Sequence, residues 1–270
     1  MLVASVVTYN TPDSELKRCL SSLSDKIVCR IYVIDNSRSE STRRVCESDP
    51  RIFYIPSDNV GYGAAHNLAM RRSMAERADY HLVLNPDISF NPDRLRTLVD
   101  YMDSHPDIGA AQPKIVNPDG TLQYTVRMLP RPADLITRRF LPKFMFKKAR
   151  NRYELRHIDH SHSFNVPVFQ GSFMLLRCST LTRTGFFDER FFMYPEDIDL
   201  TRRIHAVSRT MYLPLMEVVH DHRAASYKNL RMLFIHIVNM IRYFNKWGWI
   251  HDAERKKFNH PLQCGDRDRS

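Results

Sequence analysis

Four strand-then-helix units follow one another in the first hundred residues, and a series of that kind can close on very few architectures. Leu2 to Thr8 reads as a buried strand, and Asp13 to Leu23 as a helix capped by Thr11 with Pro12 at its first position. Arg30 to Ile34 is a second strand, followed by Asp35-Asn36-Ser37 and a polar helix up to about Cys46. Arg51 to Ile55 is a third, ended by Pro56. Asn59-Val-Gly61-Tyr-Gly63 leads into a helix through about Ala78, and the strand Tyr80 to Leu84 precedes a helix from Pro92 to Met102. The series predicts an α/β domain whose mostly parallel sheet is covered by helices on both faces. Right-handed crossovers then bring Thr8-Tyr9-Asn10, Asp35, Asn59 to Gly63 and Asn85 to Asp87 to one sheet edge.

The strand Tyr80 to Leu84 is the sharpest of these signals, because Asn85-Pro86-Asp87 ends it abruptly. Pro86 cannot donate to a ladder and pushes Asn85 into an extended conformation. Asn85 and Asp87 then lean the same way, two residues apart, so an amide and a carboxylate can face one ligand. A plain Pro-Asp turn is the competing reading. The Gly61-x-Gly63 pair departs from the dinucleotide fingerprint at His66, where a glycine would be needed, which disfavours a nicotinamide or flavin cofactor.

Beyond residue 105 the alternation weakens. Ile108 to Val116 is another strand, and the turn Asn117-Pro-Asp-Gly120 leads into Thr121 to Met128, which predicts a hairpin. Residues 130–165 read as a basic insertion with helical pieces. Within it Arg138 to Arg156 holds one acid, Glu154, and mixes Lys and Arg with apolar residues. Such a segment suits a solvated loop or a surface touching lipid headgroups. Gly171 to Arg177 is again a buried strand. At Tyr194-Pro195-Glu196-Asp197, Pro195 sits at the first helical position with acids behind it, which complements the helix dipole. A carboxylate there, beside Phe191 and Phe192, is partly desolvated and suits a general base. After the strand Thr210 to Leu213, His220 and His222 lie where a strand-end histidine could ligate a metal.

The formal charge of +10 on 270 residues points to an anionic partner. No apolar run is long enough to span a bilayer, and the start at Met1 carries no basic leader, which argues against export. Five scattered cysteines without CxxC spacing fit a reducing compartment and no structural zinc. Lys228 to Ile250 reads as a helix whose polar residues Lys228, Arg231, Asn239, Arg242 and Lys246 form one narrow stripe. Partial packing with an exposed aromatic and basic end at Tyr243, Trp247 and Trp249 is expected, and residues 265–270 should be frayed.

Taken together, Val6-Val-Thr-Tyr-Asn10, Val33-Ile-Asp-Asn-Ser37, Asn59 to Asn67, Leu84-Asn-Pro-Asp87, Gly171-Ser-Phe-Met-Leu, Gly185-Phe-Phe-Asp188 and Tyr194-Pro-Glu-Asp-Ile-Asp-Leu200 resemble a family 2 glycosyltransferase of the GT-A fold. More narrowly they resemble bacterial rhamnosyltransferases of O-antigen and related cell-surface polysaccharides. The likeness runs from residue 2 to about 226, divided into a nucleotide-binding half, 1–105, and an acceptor half, 106–226. Residues 227–270 form a C-terminal helical extension.

The resemblance implies an inverting transfer of a sugar, L-rhamnose from dTDP-L-rhamnose foremost, onto a polyprenyl-diphosphate-linked glycan. Asp35 would accept from N3–H of uracil or thymine. Thr8 and Asn10 would line the nucleoside, and Asn59, Gly61 and Asn67 the sugar-nucleotide side. Asp87 would hold Mg2+ or Mn2+ on the diphosphate, with His220 a further ligand and His222 its alternative. Asn85 stands where a carboxylate is usual, which weakens the cation site by one charge. Asp197, with Glu196 beside it, would supply the base. The implied partners are the nucleotide-sugar donor, the lipid-linked acceptor and the anionic inner face of the cell membrane, with no nucleic acid; a homodimer is admissible. The rivals are a sugar-phosphate nucleotidyltransferase, disfavoured because Thr8 to Leu16 holds no glycine-rich triphosphate loop, and a basic nucleic-acid binder, which would leave the strand-end acids unexplained.

Overall fold

β1 (Leu2–Thr8) carries no charge and all seven of its residues are buried, because it lies between parallel neighbours on both sides. The structure is a computed structural model that describes the chain except residues 25, 141–145, 222–229 and 265–270. Through the first half, α1 (Asp13–Ser21), β2 (Val28–Asp35), α2 (Glu40–Cys46), β3 (Ile52–Pro56), α3 (Tyr62–Ala75) and β4 (Tyr80–Leu84) follow in order. β5 (Ile88–Phe90), a short 3-10 turn, α4 (Leu95–Ser104) and β6 (Ile108–Val116) come next. The second half holds β7 (Val126–Arg127), α5 (Pro132–Phe140), α6 (Lys147–Tyr153), β8 (Phe164–Asn165), β9 (Val168–Phe169) and β10 (Phe173–Arg177). It ends in α7 (Cys178–Thr184), α8 (Glu196–His205), β11 (Arg209–His220), α9 (Leu230–Trp247) and α10 (Ala253–Cys264).

The strands order as β3-β2-β1-β4-β10-β6-β11-β5. β3, β2, β1 and β4 are parallel, as are β6 and β11, while β10 runs antiparallel between β4 and β6. Period-two alternation assigns the faces. Leu2, Ala4 and Val6 point to the side covered by Leu16 and Leu20 of α1 and Leu95, Leu98 and Met102 of α4. Val3 and Val7 meet Ala65 and Ala69 of α3 on the other face. Farther along that face Met174 and Leu176 meet Ile198, Leu200 and Ile204 of α8, with Tyr243 and Phe244 of α9 behind.

Several expectations are corrected. Thr11 does not cap α1: Pro12 occupies the N-cap, and the Thr11 hydroxyl accepts from the Tyr9 amide instead. The hairpin after Asn117 to Gly120 reduces to a single bridge, Val116 to Leu122, because β7 pairs with β9 rather than with β6. Pro195 is the N-cap residue of α8 rather than its first helical residue. β11 runs unbroken to His220, and β5 had no counterpart in the sequence reading.

The C-terminal helix packs more fully than expected. Part of its polar stripe holds the protein: Asn239 donates to Met193 O at 3.0 Å, Arg242 to Arg190 O at 2.6 Å, and Lys246 lies 2.7 Å from Asp199, while Arg231 is exposed. Tyr243 is buried, whereas Trp249 and Ile250 remain exposed. Lys228 lies outside the described residues. An unexpected α10 then clasps the basic insertion, since Asn259 exchanges 2.8 and 2.9 Å hydrogen bonds with the Leu129 backbone.

Candidate active site

The carboxyl ends of β2, β1 and β4 lie side by side, with Thr8 opposite Asp35 and Val6 opposite Leu84. β10, running the other way, begins at the same edge: Leu84 pairs with Phe173, and the Asn85 amide donates to Ser172 O at 3.0 Å. The next residue back, Gly171, donates its amide to Asp197 Oδ2 at 3.0 Å. Two residues of backbone, Ser172 and Gly171, thus join the Asn85-Pro86-Asp87 rim to the first turn of α8. β11 closes the far side, with His220 opposite Ile88 and the Asp221 amide on Asp87 O at 3.0 Å.

At the β1–β2 end Asp35 is fully buried, and its oxygens are engaged by the protein. Oδ1 accepts from the Ser37 amide at 2.9 Å, the Ser37 hydroxyl at 2.5 Å and the Thr8 hydroxyl at 3.2 Å. Oδ2 accepts from the Ser39 amide at 2.6 Å and Tyr54 at 3.1 Å. Burial alone would raise this carboxyl, but the hydrogen bonds from Ser37, Ser39 and Tyr54 hold it below its usual range. The geometry makes Asp35 a clamp on the loop before α2. Its neighbour Asn36 points differently: its side chain is 7% exposed, its Oδ1 has no hydrogen-bond partner, and its Nδ2 lies 3.4 Å from Asn59 Oδ1. Asn36 is not among the site residues expected from sequence. The signal was available in the strict alternation at a strand end, which turns adjacent residues to opposite sides.

Thr8 is buried under Asp35, while Asn10 is exposed with its amide 3.2 Å from Ser37 Oγ. Asn59 is exposed and accepts from the Gly61 amide at 3.4 Å. Gly61 is the N-cap of α3 with φ +94, and a Cβ there would strike the Phe192 carbonyl, so only glycine admits this approach. Asn67 turns inward and holds the next loop, donating to Phe187 O and accepting from Phe187 N at 2.9 and 3.0 Å.

The rim pairs with β11 through side chains as well. His220 is fully buried, with Nε2 3.3 Å from Asp87 Oδ1, and Asp87 Oδ1 is itself buried with no hydrogen-bond partner. An imidazole nitrogen and a carboxylate oxygen converging in this way could serve as two arms of a hard-cation site. Among the described residues no group of three or more His, Cys, Asp or Glu side chains could hold a metal, so a cation there would take its remaining ligands from an anionic ligand and water. His222 lies outside the described residues. Asn85 is half-buried beside Asp87.

Glu196 and Asp197 open α8 in different surroundings. Glu196 is 4% exposed, and burial together with the negative charge of Asp197 pushes its carboxyl well above the usual range. Asp197 is only half-buried, and each of its oxygens accepts one backbone amide, Oδ2 from Gly171 at 3.0 Å and Oδ1 from Ile198 at 2.8 Å. Of two adjacent acids, burial disfavours charge on one, while backbone amides orient the other. Tyr62 ties the parts together: its hydroxyl donates to Gly171 O at 2.5 Å, and burial, with the negative charges of Glu196, Asp197 and Asp87 nearby, pushes that hydroxyl well above its usual range.

A family model described as Glycosyl transferase family 2 matches residues 4–183. The N-acetylglucosaminyl-diphospho-decaprenol L-rhamnosyltransferase of Mycobacterium tuberculosis (strain ATCC 25618 / H37Rv) is 31% identical over 243 residues, covering 84% of this chain and 77% of that protein. Rhamnosyltransferase WbbL of Escherichia coli (strain K12) is 28% identical over 253 residues, 90% of this chain and 92% of its own length. Among solved structures, GalNAc-T7 with UDP, GalNAc and Mn2+ superposes with a TM-score of 0.68 at 14% identity. That match covers 98% of this chain and spans about half of the larger one, 51%.

Proposed function

The chain belongs to glycosyl transferase family 2, and from that premise we propose that it moves L-rhamnose from dTDP-L-rhamnose to a hydroxyl of a polyprenyl-diphosphate-linked glycan, inverting the transferred carbon. Its sheet and covering helices are the GT-A fold. The sugar and the lipid-linked acceptor are suggested by the names of the two relatives, and cell-surface polysaccharide such as O-antigen is the product class that suits them. The observation that carries the proposal is the short backbone bridge from the Asp87–His220 pair to Asp197 through Ser172 and Gly171.

In this reading the base of the nucleotide lies at the β1–β2 end, and Asn36 Oδ1 rather than Asp35 takes the pyrimidine N3–H, because Asp35 already accepts five protein hydrogen bonds. Asn10 and Asn59 flank the nucleoside, with Thr8 and Asn67 as the scaffold behind. Asp87 and His220, with Asn85 beside them, face the diphosphate. A divalent cation, Mg2+ or Mn2+, held there would act as a Lewis acid on the departing diphosphate. The acceptor oxygen attacks the anomeric carbon as the glycosyl–phosphate bond breaks, the electron pair leaves with the nucleoside diphosphate, and Asp197 receives the hydroxyl proton. Burial pushes the Glu196 carboxyl up, which disfavours a competing charge beside it.

The acceptor's lipid calls for work at a membrane surface. No helix among the described residues is long and apolar enough to cross a bilayer. α9 instead exposes Phe234 at 67% and Ile241 at 40%, with Ile250 at 78% just beyond. We place the protein on the inner face of the cell membrane, held by Lys and Arg near anionic lipid at about 1 kcal/mol each. A single assay tests both parts: nucleotide release from dTDP-L-rhamnose, dTDP-glucose, UDP-sugars and GDP-sugars, with lipid-linked acceptor in anionic vesicles. dTDP-L-rhamnose should turn over fastest, and turnover should fall as salt rises. Equal rates with GDP-mannose would refute the donor assignment, and salt-insensitive turnover the docking.

A further inference from the structure

The segment after the Asn117-Pro-Asp-Gly120 turn has no part in the site as described so far, yet it ends against His220. We infer that Gln123 is a positioning residue: its side-chain carbonyl takes the Nδ1 proton of His220, so that Nε2, 3.3 Å from Asp87 Oδ1, is the ring nitrogen left to ligate a cation. The inference rests on the reading of Asp87 and His220 as cation ligands.

The direction of each hydrogen bond in the relay is forced from outside it. Asn117 Nδ2 lies 3.3 Å from Thr121 O and 2.8 Å from its hydroxyl, and a backbone carbonyl can only accept. Asn117 therefore turns its Oδ1 to Gln123, whose Nε2 donates at 2.7 Å. The same Gln123 Nε2 reaches the His220 backbone carbonyl at 2.8 Å, a second acceptor that fixes the amide independently. Flipping Gln123 would set oxygen against oxygen at both contacts. Its Oε1 is thereby the atom 2.9 Å from His220 Nδ1, and that nitrogen must carry hydrogen. His220 is fully buried, so no bulk water competes for either ring nitrogen. Metal-bound histidines characteristically donate their other ring nitrogen in this manner, and loss of the partner lowers metal affinity.

Residue 123 is 97 positions from residue 220, so nothing local in the sequence marks the pairing. The backbone supplies it: the Gln123 amide donates to Ile115 O at 2.9 Å, next to Val116, and β6 lies parallel to β11 with Val116 opposite Val219.

The test uses the full chain labelled with 15N-histidine. Long-range 1H–15N correlation in metal-free protein should find His220 as the Nδ1–H tautomer, and Gln123→Leu should populate Nε2–H. Mn2+ affinity in the presence of dTDP, followed by the EPR signal of free Mn2+, should fall by about ten- to a hundredfold in Gln123→Leu. dTDP affinity of Gln123→Leu without Mn2+ should stay within about threefold of wild type, which separates the relay from a general loss of structure. An Nε2–H tautomer in the wild type, or unchanged Mn2+ affinity in Gln123→Leu when His220→Ala weakens it, overturns the inference. Unchanged affinity in His220→Ala overturns the cation site beneath it.

Discussion

Asp197→Asn should lower turnover by about a hundred- to ten-thousandfold while leaving donor affinity within about threefold. The amide keeps the size of the carboxylate and can still present its oxygen to the Gly171 amide, now at 3.0 Å from Oδ2. It has no second acceptor for the Ile198 amide, a loss of about 1 kcal/mol, far less than a catalytic proton acceptor contributes. The contrast with Glu196→Gln sharpens the result. Burial and the Asp197 charge already push the Glu196 carboxyl well above its usual range, toward the protonated form that a glutamine resembles in shape and charge. Its turnover should stay within about tenfold of wild type. Steady-state kinetics with dTDP binding by calorimetry measure both variants. If the order is reversed, the base is Glu196; if Asp197→Asn turns over normally, neither acid takes the proton.

Arg202→Ala should cost about 3–5 kcal/mol of unfolding free energy, the range for removing one member of a buried ion pair. The Arg202 side chain is 2% exposed and Asp252 3%, and the two meet bidentately at 2.6 and 2.7 Å. The guanidinium also sits 4.0 Å over the Trp247 ring and 3.0 Å from Glu254, so alanine would strand a buried carboxylate and empty the space above an indole. Burial would raise the Asp252 carboxyl, but Arg202 and the Arg255 amide outweigh it and hold it below its usual range. A depressed carboxyl contributes stability that is present above its unfolded value, near pH 4, and lost as pH falls through the lower folded value. The deficit of Arg202→Ala should accordingly shrink at the acid end. Urea unfolding at neutral and acidic pH checks both. A loss under about 1 kcal/mol would mean that Asp252 finds another partner.

That pair matters to the chemistry because α8 carries Asp197. Asp199, one turn into the same helix and fully buried, is held by Arg203 at 2.9 Å, Lys246 at 2.7 Å and the Trp247 indole N–H at 2.8 Å. The C-terminal helices thus fix the helix that presents the proposed base. A rigid second layer of this kind is what keeps a catalytic group within its productive geometry.

The sheet was legible wherever burial on both faces left a continuous apolar run. β1, β4 and β6 coincide with the stretches read from sequence, residue for residue. β5, β8 and β9 were not, since they are two or three residues long and β5 and β8 owe their existence to β11, far along the chain. α10 was hidden because it has little apolar periodicity and contains Pro261, which ordinarily argues against a helix interior. The stripe on α9 was visible but its direction was not. Lys246 and Arg242 turn inward only because Asp188, Asp199 and Arg190 O wait there, some fifty residues away.

The site was legible as a set of loops, less so as a set of side chains. Four of them were expected on one edge because crossovers are right-handed, and that expectation needs no contact information. Which residue of a strand end faces the ligand is finer than a loop. Asp35 and Asn36 differ by one position and turn to opposite sides, and the deciding fact, five donors closing on Asp35, comes from Thr8, Ser37, Ser39 and Tyr54 together. Gln123 is the extreme case, since its meaning depends wholly on the pairing of β6 with β11.

The central claim is that Asp87 and His220 jointly hold a divalent cation against the donor's diphosphate. Calorimetric titration of dTDP into wild type and Asp87→Ala, each with and without Mn2+, tests it most directly. Wild type should bind dTDP at least about tenfold more tightly with Mn2+, and Asp87→Ala should bind equally weakly in both conditions. Mn2+ enhancement of the same size in Asp87→Ala would contradict the claim and move the cation elsewhere.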